Sequence, residues 1–250
     1  MRRYLTLLLT LLVNPALAQS DMHLGMDRMV GPTGVIVSSG CAGSPPLLDG
    51  SVNTGSPASD VTVTLPVAHS PETLIVGLIA NIDAGGVNNV QSITDDQTGG
   101  SSRWTRRQTT GGQYPNDEWQ GRLTSVPSGG TMQVTIHFPP TTSPSFLELE
   151  AVGVYGTWNN ASPFDGSGVI TSTVDPWSVT TTCANDFVLA VGSASVSNPV
   201  AGACCTQIVG GTNNFLVMYA RRTVAGAFTL NTGSAPSMYA GALVDFIKGP

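Results

Sequence analysis

Alternating apolar and polar residues mark several segments of this 250-residue chain, and they restrict it to β structure. In the segment 60–66 (DVTVTLP) every second residue from Val61 is apolar, and the segment 131–138 (TMQVTIHF) repeats the pattern. A period of two is typical of a strand with one buried face. The segment 74–80 (LIVGLIA) is continuously apolar, as expected of a strand covered on both faces. With no helical period elsewhere, the sequence predicts an all-β fold.

Further segments of this kind follow along the chain, separated by turn clusters rich in Gly, Pro, Ser and Asp. The further predicted strands are 90–94, 104–109, 118–124, 146–155, 168–173, 177–182, 187–194, 215–221, 226–230 and 238–247. Short strands at this spacing predict an antiparallel β-sandwich, jelly-roll-like in arrangement. No tandem repeat is visible in the sequence, which argues against propellers and solenoids. We assign residues 19–50 to an N-terminal arm and residues 51–250 to the β-sandwich domain.

The composition excludes several classes of protein. Charged residues make up only 10% of the chain, against about a quarter in an average soluble domain. The chain has 10 Lys and Arg against 16 Asp and Glu, without a basic cluster, so no nucleic-acid partner is expected. Disorder is not expected either, because 41% of the residues are hydrophobic.

The first eighteen residues have the pattern of a secretory signal peptide. A basic start (Arg2-Arg3) precedes an apolar run at 4–13, and Ala16-Leu17-Ala18 is a small-residue cleavage site. The apolar run is too short to span a bilayer, so no membrane insertion is expected. We therefore expect a secreted or periplasmic protein. Its mature form keeps 8 of the 10 basic residues and all 16 acidic ones.

The four cysteines, Cys41, Cys183, Cys204 and Cys205, are expected to form disulfides, because an even number in an oxidising compartment favours pairing. The neighbours Cys204 and Cys205 can bond to each other, but such a bond is expected to be strained. We favour Cys183 bonded to one of them and Cys41 bonded to the other. A zinc site is the weaker alternative, since no C-x-x-C pair or neighbouring His accompanies the cysteines.

The order of these segments resembles a β-sandwich module that recurs in exported bacterial proteins and phage-associated proteins. In such modules a Glu-x-x-Gly-Val-like strand precedes a Pro-hydrophobic-Asp loop, and an Asn-Asp strand follows a Thr-rich one. The matching residues here are Glu150, Gly153-Val154, Pro163-Phe164-Asp165 and Asn185-Asp186-Phe187-Val188-Leu189-Ala190. The resemblance covers about residues 50 to 248. It implies an accessory, adhesive or structural role, and the cysteines and the N-terminal arm depart from it.

Motifs of the common enzyme classes are absent from the sequence: there is no H-E-x-x-H, Walker loop, G-x-S-x-G or dinucleotide fingerprint. The three histidines, His23, His69 and His137, are far apart, and His137 is expected to be solvated or locally bonded. The best pair of acids is Glu148 and Glu150, which two-residue spacing places on one face of a strand.

Two carboxylates so placed suit a retaining glycosidase. The strand is similar to the Glu-x-Asp-x-Glu strand of laminarinase-like jelly rolls, but Phe146 and Val152 stand where a third acid would be. We favour the alternative that Glu148 and Glu150 lie on a solvent-facing sheet surface. The chain is therefore not expected to be an enzyme, and no catalytic residue is assigned.

Oxygen ligands in one loop region suit a structural Ca²⁺ ion. Asp95 and Asp96 precede a Gly-Gly turn, and Asp83 lies upstream of them. Carboxylate oxygens are the ligands that Ca²⁺ prefers. Ordinary turn chemistry explains the same residues, so the ion is a candidate and no other cofactor is expected.

Three aromatic residues are the candidates for ligand contact. Trp158 and Tyr114 lie in polar loops, and Tyr155 ends the strand 146–155. Aromatic residues in loops suggest contact with a ligand, whereas those within strands usually pack in the core.

These observations favour an exported, non-catalytic β-sandwich that acts as a binding or surface-interaction module. Its expected partner is a glycan or a cell-surface component. The alternatives are a glycoside hydrolase that uses Glu148 and Glu150, and a structural protein of a phage-like or extracellular assembly.

The signal peptide gives a direct test. Because the Ala16-Leu17-Ala18 site precedes Gln19, the exported protein is expected to begin at residue 19. Intact-mass measurement of protein recovered from the periplasm or medium checks this. Retention of residues 1–18 in that fraction would contradict the export prediction.

Overall fold

The computed structural model describes residues 28–30, 36–38, 44–55, 60–81, 90–109, 116–139, 146–156, 163–165, 168–170, 176–194, 199–212, 215–233 and 238–249. The chain divides into two compact units, Met1–Ser39 and Gly40–Pro250. The first unit contains an antiparallel pair of short strands, β1 (Arg28–Val30) and β2 (Ile36–Ser38). No helix among the described residues is long and apolar enough to cross a membrane.

The described part of the second unit consists of strands connected by turns and loops. The strands are β3 (Leu47–Thr54), β4 (Asp60–Pro66), β5 (Glu72–Asn81), β6 (Ser92–Asp95), β7 (Thr105–Thr109), β8 (Asn116–Leu123), β9 (Thr131–His137), β10 (Phe146–Tyr155), β11 (Gly168–Ile170), β12 (Trp177–Thr181), β13 (Asp186–Ala194), β14 (Thr206–Thr212), β15 (Phe215–Arg222), β16 (Gly226–Leu230) and β17 (Met238–Lys248). All of their pairings are antiparallel.

These strands form four sheets. Inner sheet 1 has the order β3-β10-β5-β8-β7, and outer sheet 1 has the order β4-β9-β6. Inner sheet 2 has the order β11-β17-β13-β15-β14, and outer sheet 2 is the pair β12-β16. Three hydrophobic clusters lie between successive sheets, in the sequence outer 1, inner 1, inner 2, outer 2. The two inner sheets are therefore covered on both faces.

Because successive side chains of a strand point to opposite faces, one strand contributes residues to two hydrophobic clusters. In β5, Leu74 and Val76 pack toward outer sheet 1, whereas Ile75 packs toward inner sheet 2. The strand reads as continuously apolar because successive side chains enter different cores. Outer strand β4 alternates between buried and exposed residues, because only one of its faces is covered. The prediction of an antiparallel β-sandwich is confirmed, and the jelly-roll arrangement stays a prediction.

The second unit is an internal duplication. The inner sheets have the same strand order when β3, β10, β5, β8 and β7 are matched with β11, β17, β13, β15 and β14. Outer strands β4 and β9 match β12 and β16, and an isolated bridge between Ala201 and Thr232 takes the place of the β6–β9 pairing. We call residues 44–156 repeat 1 and residues 163–249 repeat 2.

No tandem repeat is visible in the sequence, and the duplication is seen only in the arrangement of strands. Its sequence trace is short: Leu-Leu-Asp-Gly-Ser at 47–51 corresponds to Pro-Phe-Asp-Gly-Ser at 163–167. The remaining likeness is an apolar pattern that any β-strand shows, so it does not identify a repeat. Strand β3 begins at Leu47, so the fold starts within the segment that the sequence analysis assigned to the arm.

The two repeats meet face to face at equivalent positions. Gly77 of β5 is the eighth residue after His69, and Val191 of β13 is the eighth after its counterpart Cys183. A Cβ atom on Gly77 would lie 2.7 Å from Cγ2 of Val191, closer than real Cβ atoms approach other heavy atoms. One member of this facing pair must be very small. Gly77 therefore lets the inner sheets pack closely, and Val191 fills the space above it.

The contact between Gly77 and Val191 can be tested by a double-mutant cycle. Gly77→Ala is expected to destabilise the fold by about 1–3 kcal/mol, because the new methyl group overpacks the stiff Val191 side chain. Val191→Ala alone leaves a cavity and also destabilises. The double variant is expected to be more stable than the sum of the two losses predicts. Urea denaturation of the four proteins measures this, and strict additivity would contradict the packing described here.

Candidate functional site

Each repeat contains a buried aspartate that holds the corner between its first outer strand and its central inner strand. In repeat 1, Asp49 Oδ2 accepts hydrogen bonds from the backbone N–H of Ala68 (2.6 Å) and of His69 (2.9 Å). In repeat 2, Asp165 Oδ2 accepts from the backbone N–H of Thr182 (2.6 Å) and of Cys183 (2.8 Å). Both corners leave two N–H groups outside the sheet ladders, and a carboxylate satisfies them with charge-assisted hydrogen bonds.

The corner of repeat 1 carries an exposed imidazole. His69 Nδ1 lies 2.5 Å from Asp49 Oδ1, and the side chain of Asp49 is 2% exposed while that of His69 is 52% exposed. The His69 ring stacks on Tyr155, with centroids 4.1 Å apart and planes 13° from parallel. The buried carboxylate and the stacked ring together fix the imidazole in one orientation. We call His69, Tyr155 and Asp49 the open corner.

The corner of repeat 2 is closed. Cys183, the counterpart of His69, is buried and disulfide-bonded. The hydroxyl of Thr182 donates to Asp165 Oδ1, and Lys248 of β17 stands where β10 has Tyr155. We call the two backbone hydrogen bonds accepted by each aspartate the clamp. The clamp is the same in both repeats, but the corner residue beside it is buried in repeat 2 and is a half-exposed imidazole ring in repeat 1.

Two acids and Cys183 lie close enough in the closed corner to suggest a metal site. Possible ligand atoms of Asp165, Cys183 and Asp186 lie within 4.8 Å of one another. However, Asp165 already accepts three hydrogen bonds, and the sulfur of Cys183 is bonded in a disulfide. The donor set therefore suits a metal ion poorly.

A shared proton explains the pair of acids better. Burial, the negative charge of Asp165 and a hydrogen bond to Asp165 together raise the pKa of Asp186 to about 8, against the opposing effect of Lys248. Protonated Asp186 can donate to the Asp165 carboxylate, whereas two ionised carboxylates at this distance would repel. The Pro-hydrophobic-Asp and Asn-Asp segments identified in the sequence thus meet in space as a close pair of carboxyl groups.

The expectation that Glu148 and Glu150 lie on a solvent-facing surface is wrong. Glu148 is 3% exposed and Glu150 is 1% exposed. Both side chains share the face of β10 that carries Val152 and Val154, and this face packs against inner sheet 2. The sequence pattern did not reveal this, because a polar residue at every second position normally indicates a solvent-exposed face of a strand. Here the duplication covers that face.

The buried acids have different electrostatic surroundings. Burial raises the pKa of Glu150 to about 8, and a hydrogen bond with Ser51 partly offsets the shift. Glu118 lies two strands away in the same cross-strand row, beyond Gly77. It accepts a hydrogen bond from Gln108 (3.1 Å) and lies 3.7 Å from the guanidinium of Arg107. Glu118 thus has a counter-ion, whereas Glu150 is held neutral near pH 7.

A third group of polar residues lies on the outer face of outer sheet 1. Thr94 Oγ1 lies 2.8 Å from His137 Nε2, and His137 Nδ1 lies 3.0 Å from Asp60 Oδ2. His137 is locally bonded, as the sequence analysis expected. These hydrogen-bonded side chains follow the order hydroxyl, base and acid. Hydrolysis also requires hydrogen-bond donors that converge on the oxyanion. The hydroxyl groups of the neighbouring described residues Thr62 and Thr135 do not point to such a site, because they bond to each other at 2.8 Å.

The acids proposed for Ca²⁺ have other contacts. Asp95 Oδ2 lies 2.7 Å from both the indole N–H of Trp104 and the guanidinium of Arg103. Asp95 Oδ1 and Asp96 Oδ1 accept backbone N–H groups of Gln97 and Gln133. Asp83 lies outside the described residues. These contacts give Asp95 and Asp96 a role in fixing the loop, and the ion stays a prediction.

The predicted ligand-binding aromatics are only partly described. Tyr155 belongs to the open corner, whereas Trp158 and Tyr114 lie outside the described residues. Sequence reasoning selected Tyr155 but did not connect it with His69 or Asp49. The only available signal was the Asp-Gly-Ser repeat, which marks both clamp aspartates.

The expected disulfide pairing is wrong. Cys204 and Cys205 are bonded to each other, so neither can pair with Cys183 or Cys41. Cys183 is disulfide-bonded, and none of the described cysteines is free. Cys41 lies outside the described residues.

Comparison of the chain with protein-family models, curated proteins and solved structures gives no match. The resemblance to a module of exported and phage-associated proteins therefore stays a prediction. Functional conclusions rest on the geometry of this chain.

The raised pKa of Glu150 predicts how stability depends on pH. Its pKa is about 8 in the folded protein and 4.5 when unperturbed, so its contribution is fully present below pH 4.5 and is lost as the pH rises towards 8. Glu150→Gln copies the neutral form and is expected to be more stable than the parent at pH 8 and similar to it at pH 4.5. Thermal denaturation across this range measures the difference.

Glu118→Gln is the matched control. It removes the counter-ion of Arg107 and is expected to lower stability at both pH values. If Glu150→Gln were as destabilising as Glu118→Gln at pH 8, Glu150 would not be a neutral buried acid.

Proposed function

We propose that the protein is an exported, non-catalytic binding module whose ligand is a glycan, contacted at the open corner. The observation that carries this proposal is the stacked pair of His69 and Tyr155, with the imidazole half exposed and anchored by buried Asp49. Trp104, Trp119 and Trp177 are buried in the hydrophobic clusters, so they offer no surface for a ligand.

An anchored aromatic pair suits ligand binding for an entropic reason. Binding orders flexible side chains, and this cost is small when the side chain is already fixed. His69 is held by a short hydrogen bond at one ring atom and by the Tyr155 ring on one face. A flat, partly apolar surface with a polar edge matches a pyranose ring, which has an apolar C–H face and hydroxyl groups around it.

The surroundings of the acids support a non-catalytic role. A retaining glycosidase needs two carboxyl groups beside the scissile bond. Glu148 and Glu150 instead point into the layer between the two inner sheets, where Val191 fills the space over Gly77. The Cys204–Cys205 bond supports the proposed export, because disulfides persist in oxidising compartments.

A glycan array probed with the mature protein, with reducing-sugar release measured in parallel, tests this function. Binding without release of reducing ends is expected. His69→Ala and Tyr155→Leu are each expected to weaken binding about tenfold or more, as truncation of an aromatic anchor does. His137→Ala, which removes an imidazole from the outer face of outer sheet 1, is the control and should bind like the parent.

Two outcomes would overturn the proposal. Polysaccharide cleavage that Glu148→Gln abolishes would identify a hydrolase. Glycan binding that survives both open-corner variants, with their folds intact by circular dichroism, would place the ligand elsewhere.

A further inference from the structure

We propose that the open corner selects neutral glycans over anionic ones, and that each chain binds a single sugar chain. This inference rests on the proposed function and specifies the chemistry of its ligand. It follows from the tautomer of His69, from the charges around it, and from the difference between the two corners.

The hydrogen bonds of Asp49 determine the tautomer of His69. Asp49 accepts two backbone N–H groups through Oδ2, and its Oδ1 lies 2.5 Å from His69 Nδ1. A carboxylate that accepts in this way requires the proton on Nδ1. In its neutral form the imidazole therefore presents Nε2 as an acceptor, and none of the described residues makes a hydrogen bond to that atom.

An acceptor atom without a hydrogen-bond partner favours a ligand group that can donate a hydrogen bond. A sugar hydroxyl can donate to Nε2, whereas a carboxylate or a sulfate ester has no hydrogen to donate and would place lone pair against lone pair. Asp49 adds a negative charge directly behind the ring. The net charge of the chain is −6, which further disfavours an approaching polyanion.

Three arginines on or next to strand β7 of inner sheet 1 are engaged in ion pairs. The pairs are Arg103 with Asp95, Arg106 with Asp117, and Arg107 with Glu118.

The duplication limits binding to one corner. The counterpart of His69 is Cys183, whose sulfur is committed to a disulfide, and the counterpart of Tyr155 is Lys248. The closed corner therefore has neither the ring stack nor the acceptor. Although the fold contains the corner twice, we expect a stoichiometry of one.

Titration calorimetry at pH 8 with matched polymers tests the inference. The probes are soluble glucan, galactan and mannan, each paired with the same polymer oxidised at C6 to the carboxylate. We expect at least one neutral polymer to bind with one site per chain, and its oxidised partner to bind at least tenfold more weakly. The difference should persist in 0.5 M NaCl, where long-range repulsion is screened over about 4 Å.

His69→Phe keeps an aromatic ring on Tyr155 but removes the acceptor. It is expected to retain binding to the neutral polymer, weakened severalfold, and to discriminate less between the paired polymers in high salt. His137→Ala should discriminate like the parent.

The outcomes separate the two proposals. Equal or tighter binding of an oxidised polymer, or two sites per chain, would overturn the selectivity inference while leaving a glycan-binding function. Discrimination that His69→Phe leaves unchanged would also overturn it. If no polymer of the panel or of the glycan array binds the parent protein, the proposed function fails, and the inference fails with it.

Discussion

The contact of Val191 with Gly77 decides how the rest of the structure is built. It brings the inner sheets of the two repeats together at equivalent positions, and it requires that one of the two residues have no side chain. Once the sheets are in contact, the central strands of both repeats lose their solvent-facing side. Residues that a two-layer sandwich would expose are then buried, and three hydrophobic clusters form where a single sandwich would have one. The stability of each repeat thus depends on the other.

This packing has an electrostatic consequence that the two repeats do not share. On the face toward the other repeat, inner sheet 2 carries Val217 and Leu243, at positions equivalent to Glu118 and Glu150 of inner sheet 1. Burying a carboxylate without a partner costs a large free energy, and the two acids avoid this cost in different ways. Glu118 is compensated by Arg107, whereas Glu150 remains neutral. Two acidic groups are therefore buried in the same layer, one beside a counter-ion and one in its neutral form.

The sequence was informative wherever local pattern determines structure. The bounds of β10 and β16 were predicted correctly, and β4 buries the residues that its alternation selects, because strand geometry depends on neighbouring residues. It failed where distant segments meet. Alternation in β10 cannot reveal that a second sheet covers its polar face, so Glu148 and Glu150 were misplaced. The open corner was missed for the same reason: Asp49, His69 and Tyr155 come from three separate segments.

The difference between the two corners is the main reason for placing the proposed ligand at the open corner. Both corners need an acceptor for two equivalent backbone N–H groups, and an aspartate supplies it in each repeat. Nothing in that structural task requires an imidazole. In repeat 2 the corresponding position is Cys183, which is buried and disulfide-bonded. In repeat 1 the same position holds a half-exposed ring stacked on Tyr155, an arrangement that leaves aromatic surface in contact with water. Stability alone does not explain that exposure, because the neighbouring repeat shows how the corner is closed. The proposed ligand, which stacks on the ring, accounts for this exposure.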